Sequence, residues 1–152
     1  MDYYLQYENS LSIERGPLVY ALKIKEKWEK KTFKDTNSIY GKTYYEVYPM
    51  SKWNYGLVDF SKENLNEAFK VIIDKDKINN TFPWNVENAP ITIKAKAKEI
   101  PSWTLYNDMA GPLPYSRMIY GPGTKDMEAV EIDLIPYGCT TLRISEFPII
   151  KD

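Results

Sequence analysis

The chain has 152 residues, 43% of them hydrophobic, with 20 basic side chains against 21 acidic ones. That is enough chain to bury a core without disulfides or metals, and the charge is too balanced to draw a polyanion or an anionic membrane. With no histidine and the single cysteine Cys139, an internal disulfide is excluded, the commonest general base is missing, and a zinc site would need carboxylates with at most one thiolate.

In chain order, residues 3–7 and 11–14 read as short strands. From Leu18 to Ile24, the side chains of Leu18, Tyr20, Leu22 and Ile24 share one face, while Val19 and Ala21 make the other partly apolar. This pattern predicts a central strand. Lysines cluster from Lys23 to Lys34, but Glu26 and Glu29 interrupt them, which predicts a solvated mixed-charge edge rather than a nucleic-acid face. A strand follows at 44–48, then a helical turn over Ser61 to Ala68 with Ser61 as its N-cap. Phe69, Val71 and Ile73 alternate imperfectly, because Ile72 breaks the row. Residues 91–98 alternate strictly between apolar and mostly lysine positions, a half-buried antiparallel strand with a wet face. Val130, Ile132 and Leu134 alternate with Glu131 and Asp133, and Leu142 and Ile144 alternate with Thr141, Arg143 and Ser145.

Pro17 marks a strand start, Pro136-Tyr137-Gly138 a tight connection, and Pro148 the end of the last strand. Segments 35–44 and 105–125 are too long for hairpin turns; the second contains Gly111-Pro112-Leu113-Pro114 and Gly121-Pro122-Gly123. About eight short strands and no βαβ alternation predict an all-β chain. The expected architecture is a mostly antiparallel β-sandwich, jelly-roll-like, with long Pro/Gly-rich loops, occupying 1–152 as one domain. No apolar run approaches the roughly 20 residues of a spanning helix, so no membrane partner is expected. Met1-Asp2-Tyr3-Tyr4 has no basic or apolar signal region. A fragment would have lost such a leader with its parent, so the compartment stays open.

Trp28, Trp53, Trp84 and Trp103 are the candidates for stacking on sugar C–H faces. Trp53-Asn54-Tyr55 is the leading cluster, since Asn54 adds an amide for hydroxyl groups, and Trp103 is a further candidate. The competing reading is that Trp53 and Tyr55 cap the core. Trp84 and Trp103 rank lower because Pro83 and Pro101 place them at strand starts. Tyr106, Asp108 and Met109, in the loop running to Pro112, are candidates for contact with another domain. Glu131 and Asp133, preceded by Glu128, share a strand face as a hydrolytic pair could, but they lie opposite an apolar row, as a solvent face does. Arg15 and Arg143 are expected to pair with Glu14 or Glu146. Asn79-Asn80-Thr81 fits the glycosylation triplet, a pattern too common to imply secretion.

Six segments carry a resemblance in their shared order: Arg15-Gly16-Pro17-Leu18-Val19-Tyr20-Ala21-Leu22, the run from Val47 to Leu57, Asn88-Ala89-Pro90-Ile91, Ile100-Pro101-Ser102-Trp103, Ala110-Gly111-Pro112-Leu113-Pro114, and the run from Leu134 to Pro148. Together they resemble the region after the catalytic barrel in β-L-arabinofuranosidase-like glycoside hydrolases (glycoside hydrolase family 127). The resemblance implies a non-catalytic C-terminal β-sandwich that packs on and stabilises the α/α-barrel of its parent chain. It also implies a periplasmic or secreted parent acting on arabinose-containing plant glycans. The family's cysteine nucleophile and zinc cluster belong to the barrel, so no catalytic role passes to Cys139 and no cofactor is expected here. The alternative reading is a carbohydrate-binding module holding plant glycan through exposed Trp and Tyr. Neither reading includes a nucleic-acid partner.

Overall fold

The computed structural model describes residues 2–5, 10–34, 39, 41–78, 82–116, 124 and 126–150. Its strands are β1 (Asp2–Leu5), β2 (Leu11–Arg15), β3 (Leu18–Leu22), β4 (Glu26–Thr32), β5 (Thr43–Pro49), β6 (Tyr55–Leu57), β7 (Lys70–Ile73), β8 (Ile91–Glu99), β9 (Leu105–Tyr106), β10 (Met109–Ala110), β11 (Val130–Pro136) and β12 (Glu146–Phe147). Two single helical turns, α1 (Leu65–Ala68) and α2 (Lys75–Ile78), interrupt them. The class is all-β, and among the described residues the named strands pair antiparallel, with one isolated parallel bridge between Leu57 and Ile149.

Eight strands form the main sheet, in the order β1-β2-β3-β11-β8-β6, with β12 also on β2 and β7 also on β8. The β2–β3 turn consists of Gly16 and Pro17, since Arg15 pairs with Leu18. Gly16 has φ +59 and proline fixes φ near −65°, the sign pair that a type II′ turn requires. One edge of β2 then serves two neighbours, β3 at residues 13–15 and β12 at 11–12. The C-terminal segment runs between the splayed ends of that hairpin. Leu22 N–H donates to Ile144 O, and farther on Leu57 N–H donates to Pro148 O while Ile150 N–H returns to Leu57 O. These bonds link β6, at one end of the sheet, to the segment that pairs with β2, so the sheet curls almost closed.

A single large core lies inside. Leu11, Ile13, Tyr20, Leu22, Leu57, Phe69, Ile93, Ala95, Ala97, Ile132, Leu134 and Phe147 pack in one cluster. The strict alternation in β8 is observed: Ile93, Ala95 and Ala97 are buried, while Lys94 pairs outward with Glu131 and Asp133, and Lys96 with Asp59. β3 is central, as its two apolar faces predict. Ala21 on its outer face is buried opposite Ile135, which packs with Ala89 and Cys139.

Several local expectations are corrected. Residues 141–145 form no strand, because the carboxylate of Glu26 takes the N–H groups of Thr141 and Leu142 that a ladder needs. Leu142 and Ile144 still pack partly against the core. Ser61 does not cap α1; its N–H donates to Asn64 Oδ1 instead. α2 was not anticipated, and Asp74 Oδ1 accepts the N–H groups of Asp76 and Lys77 at its start. The lysine-rich segment is the solvated mixed-charge edge expected, and it forms a strand, β4, that among the described residues pairs with β5 and has no buried side chain. Arg143 does not pair with Glu146, which accepts from Ser10 Oγ, and neither Arg15 nor Glu14 makes an ion pair among the described residues. The glycosylation triplet and Gly121-Pro122-Gly123 lie outside the described residues.

Candidate functional site

Two surface grooves concentrate the aromatic side chains. The first, about 700 Å³ and wide open, is lined by residues 49–54 and 103–105. It brings together Trp53, Asn54 and Trp103, with Tyr55 next along β6. Backbone bonds fold this region: Ile100 N–H donates to Asn54 O, Trp103 N–H to Ile100 O, and the Asn54 amide donates to Ile100 O. Asn54 is thus engaged in holding the 100–103 turn. Trp103 is buried among Val58, Ile100 and Ile150, and Trp53 stands edge-on to it with ring centroids 5.2 Å apart. Buried this far, Trp103 offers no open face for a sugar. Tyr55 is half-buried, and burial first, then the Glu99 carboxylate, push its phenol above the usual range. Lys52 pairs with that same Glu99.

The 105–110 stretch, expected as a loop, is the β9–β10 hairpin. Asn107 and Asp108 both have positive φ, 50° and 60°, as a type I′ turn demands. The hairpin's base is fixed by Trp103, whose indole N–H donates to Gly111 O at 3.0 Å. Leu105, Tyr106 and Met109 are all more than half exposed, and so is Met50 in the same groove wall as Leu105. Asp108 sits in the turn itself.

The second groove, about 470 Å³, is lined by residues 25, 26, 28, 82, 84–87, 138–141 and 143. Trp28 and Trp84 are 53% and 50% exposed, and Phe82 is exposed too. Glu26 organises one wall. Its Oε1 accepts Thr141 N–H at 2.7 Å, Leu142 N–H at 3.0 Å and the Thr140 hydroxyl at 3.1 Å, and its Oε2 accepts Trp28 Nε1–H at 3.1 Å. Burial pushes this carboxyl up, but the N–H bonds from Leu142 and Thr141 and the side-chain bonds from Thr140 and Trp28 outweigh it, so it stays below its ordinary range. Trp84 rests over Gly138, where a Cβ would lie 3.6 Å from its ring. Arg143 donates Nε–H to Thr140 O and lies 4.6 Å above the Tyr137 ring. Cys139 lines this groove but is buried, its thiol pushed up by that burial and bonded to Pro83 O.

Nothing in the local sequence around Trp84 links it to Trp28. Their common wall exists only because Glu26 and residues 138–143 meet in the fold, and no local pattern carries that. Glu131 and Asp133 lie on the outer face of β11, both near Lys94. Among the described residues no three of Cys, Asp and Glu gather closely enough to hold a metal ion. The chain matches no protein-family model, no curated protein and no solved structure.

Proposed function

We propose that the chain is the non-catalytic β domain that follows the α/α-barrel of a β-L-arabinofuranosidase-like glycoside hydrolase, and that its β9–β10 hairpin meets that barrel. The observation carrying this reading is the hairpin itself. A short arm, stiffened by its turn and fixed at its base by Trp103, holds Leu105, Tyr106 and Met109 out of the body of the protein. Ordered, clustered apolar side chains of this kind mark a surface that another body covers. Support also comes from where the resembling segments fall. Arg15–Leu22 makes the II′ hairpin of β2 and β3, Ile100–Trp103 makes the turn beneath the first groove, and Leu134–Pro148 carries the sheet closure.

On this reading the isolated chain hydrolyses no arabinofuranoside. The test mixes it with a barrel of this glycoside hydrolase family stripped of its own β domains. The expected result is a stable complex by size exclusion, lost in the double variant Tyr106→Ser, Met109→Ser. No complex, or release of nitrophenol from an aryl β-L-arabinofuranoside by the chain alone, would overturn the proposal.

A further inference from the structure

We infer that the second groove, between Trp28 and Trp84, is a binding site for a neutral oligosaccharide. It shares no lining residue with the first groove, so this inference stands apart from where a barrel docks. Three observations carry it.

The first is that both indoles are held in place while remaining half open. Trp28 has its N–H engaged by Glu26, and Glu26 is itself held by three donors from residues 140–142. Trp84 is seated on Gly138. A ring fixed by its edge or one side keeps a flat apolar face that costs little entropy to use, which suits the C–H face of a sugar ring. The volume, about 470 Å³, falls within the range of small-ligand sites.

The second is the polar equipment. Arg143 is exposed, and its Nε is satisfied by Thr140 O while its ring contact with Tyr137 holds the guanidinium plane. Its terminal nitrogens have no partner among the described residues, which leaves a planar pair of donors for adjacent hydroxyl oxygens. Glu87 is exposed at the rim and supplies acceptors.

The third is charge. Lys25 and Arg143 are offset by Glu26 and Glu87 within the same lining, and the oxygens of Glu26 are already engaged by donors from within the protein. A uronic acid or sulfated chain gains nothing from that balance, whereas a neutral glycan loses nothing. A protein partner would be expected to insert an apolar anchor into a desolvated pocket. Flat ring faces beside free donors and acceptors fit hydroxylated rings better.

The test probes the full chain on an array of plant, microbial and animal glycans, then titrates the best neutral hexasaccharide by calorimetry and by tryptophan emission. Saturable binding to a neutral glycan is expected. Trp84→Ala and Trp28→Ala should each weaken it about tenfold, which is about 1.4 kcal/mol, because each removes one aromatic platform. Arg143→Gln, which leaves both rings in place, should weaken it several-fold, while Tyr106→Ala on the hairpin leaves it unchanged. Circular dichroism checks that each variant folds. No binding to any neutral glycan overturns the inference. Binding that all three groove variants retain, or binding only to anionic glycans that high salt abolishes, overturns it as well.

Discussion

Glu26 joins the start of β4 to the C-terminal segment, and removing its charge gives the sharpest test of how this fold is held. In Glu26→Ala, four donors lose their acceptor: the N–H groups of Thr141 and Leu142, the Thr140 hydroxyl and the Trp28 indole. They are not equal losses. Thr141 and Trp28 are exposed and recover water, and the Thr140 hydroxyl keeps Leu142 O at 2.9 Å. The half-buried Leu142 N–H is the one left short. With hydrogen bonds to a charged group contributing about 1.5–3 kcal/mol, the net cost should be about 2 kcal/mol, a fall in Tm of about 4–8 °C for a chain of this size. Glu26→Gln keeps one acceptor oxygen but turns a donor toward Trp28 or Thr141, and should cost about half as much. The pH dependence follows from the lowered carboxyl. A carboxylate depressed in the folded state contributes stability above its unfolded titration range and loses it as pH falls through the folded value. The gap between the native chain and Glu26→Gln, measured by urea unfolding across pH, should therefore be widest near neutrality and narrow in acid. Equal stabilities at neutral pH, or a gap that stays constant into acid, would refute the reasoning.

Other substitutions test separate parts of the fold. Phe147→Ala empties a fully buried position on the closing strand and should cost about 3–5 kcal/mol in chemical unfolding. Tyr20 is fully buried with a hydroxyl that has no hydrogen-bond partner among the described residues. Burial pushes its phenol above the usual range and the nearby Arg15 guanidinium opposes that, without the geometry of a bond. Tyr20→Phe should thus leave stability unchanged or raise it by up to about 1 kcal/mol, read in the same urea titration. Gly16→Ala meets nothing within 4 Å but must adopt φ +59, so thermal unfolding should show a loss of about 1–2 kcal/mol, smaller in Gly16→Asn.

The parts of the fold that were legible share one physical basis: an alternating side-chain pattern with one face in the core. β8 is the clearest, because small Ala95 and Ala97 beside Ile93 could only be the inner row against the lysines. β4 was hidden because its row of Trp28 and Lys30 has no core to face; among the described residues it pairs with β5 alone. The β9–β10 hairpin was hidden because Asn107-Asp108 is a weaker turn signal than Asn-Gly, and two-residue strands have no period to detect. Residues 141–145 alternate convincingly and still form no strand, since a carboxylate more than a hundred positions earlier in the chain takes their donors. The first groove brings Trp103 to Trp53, which no local pattern signals, and there the Asn54 amide and the Trp103 indole N–H are used internally. The open indoles lie elsewhere.

That difference has a structural cause in the C-terminal segment. Residues 138–143 form a wall of the second groove, and 144–150 close the sheet against β3, β2 and β6. A single stretch of chain thus links the closure of the sheet to the setting of Trp28 and Trp84. Glu26 fixes the first half of that stretch, and Phe147 anchors the second half in the core. Loss of either should therefore be felt beyond its own contacts. A loosened 138–143 wall removes the seat of Trp84 and the hold on Trp28 together, so both indoles should become more mobile in Glu26→Ala than in a surface variant of equal stability. Conversely, a ligand seated between the rings packs on the same wall, and because it binds only the folded arrangement it should raise the unfolding midpoint in step with its affinity.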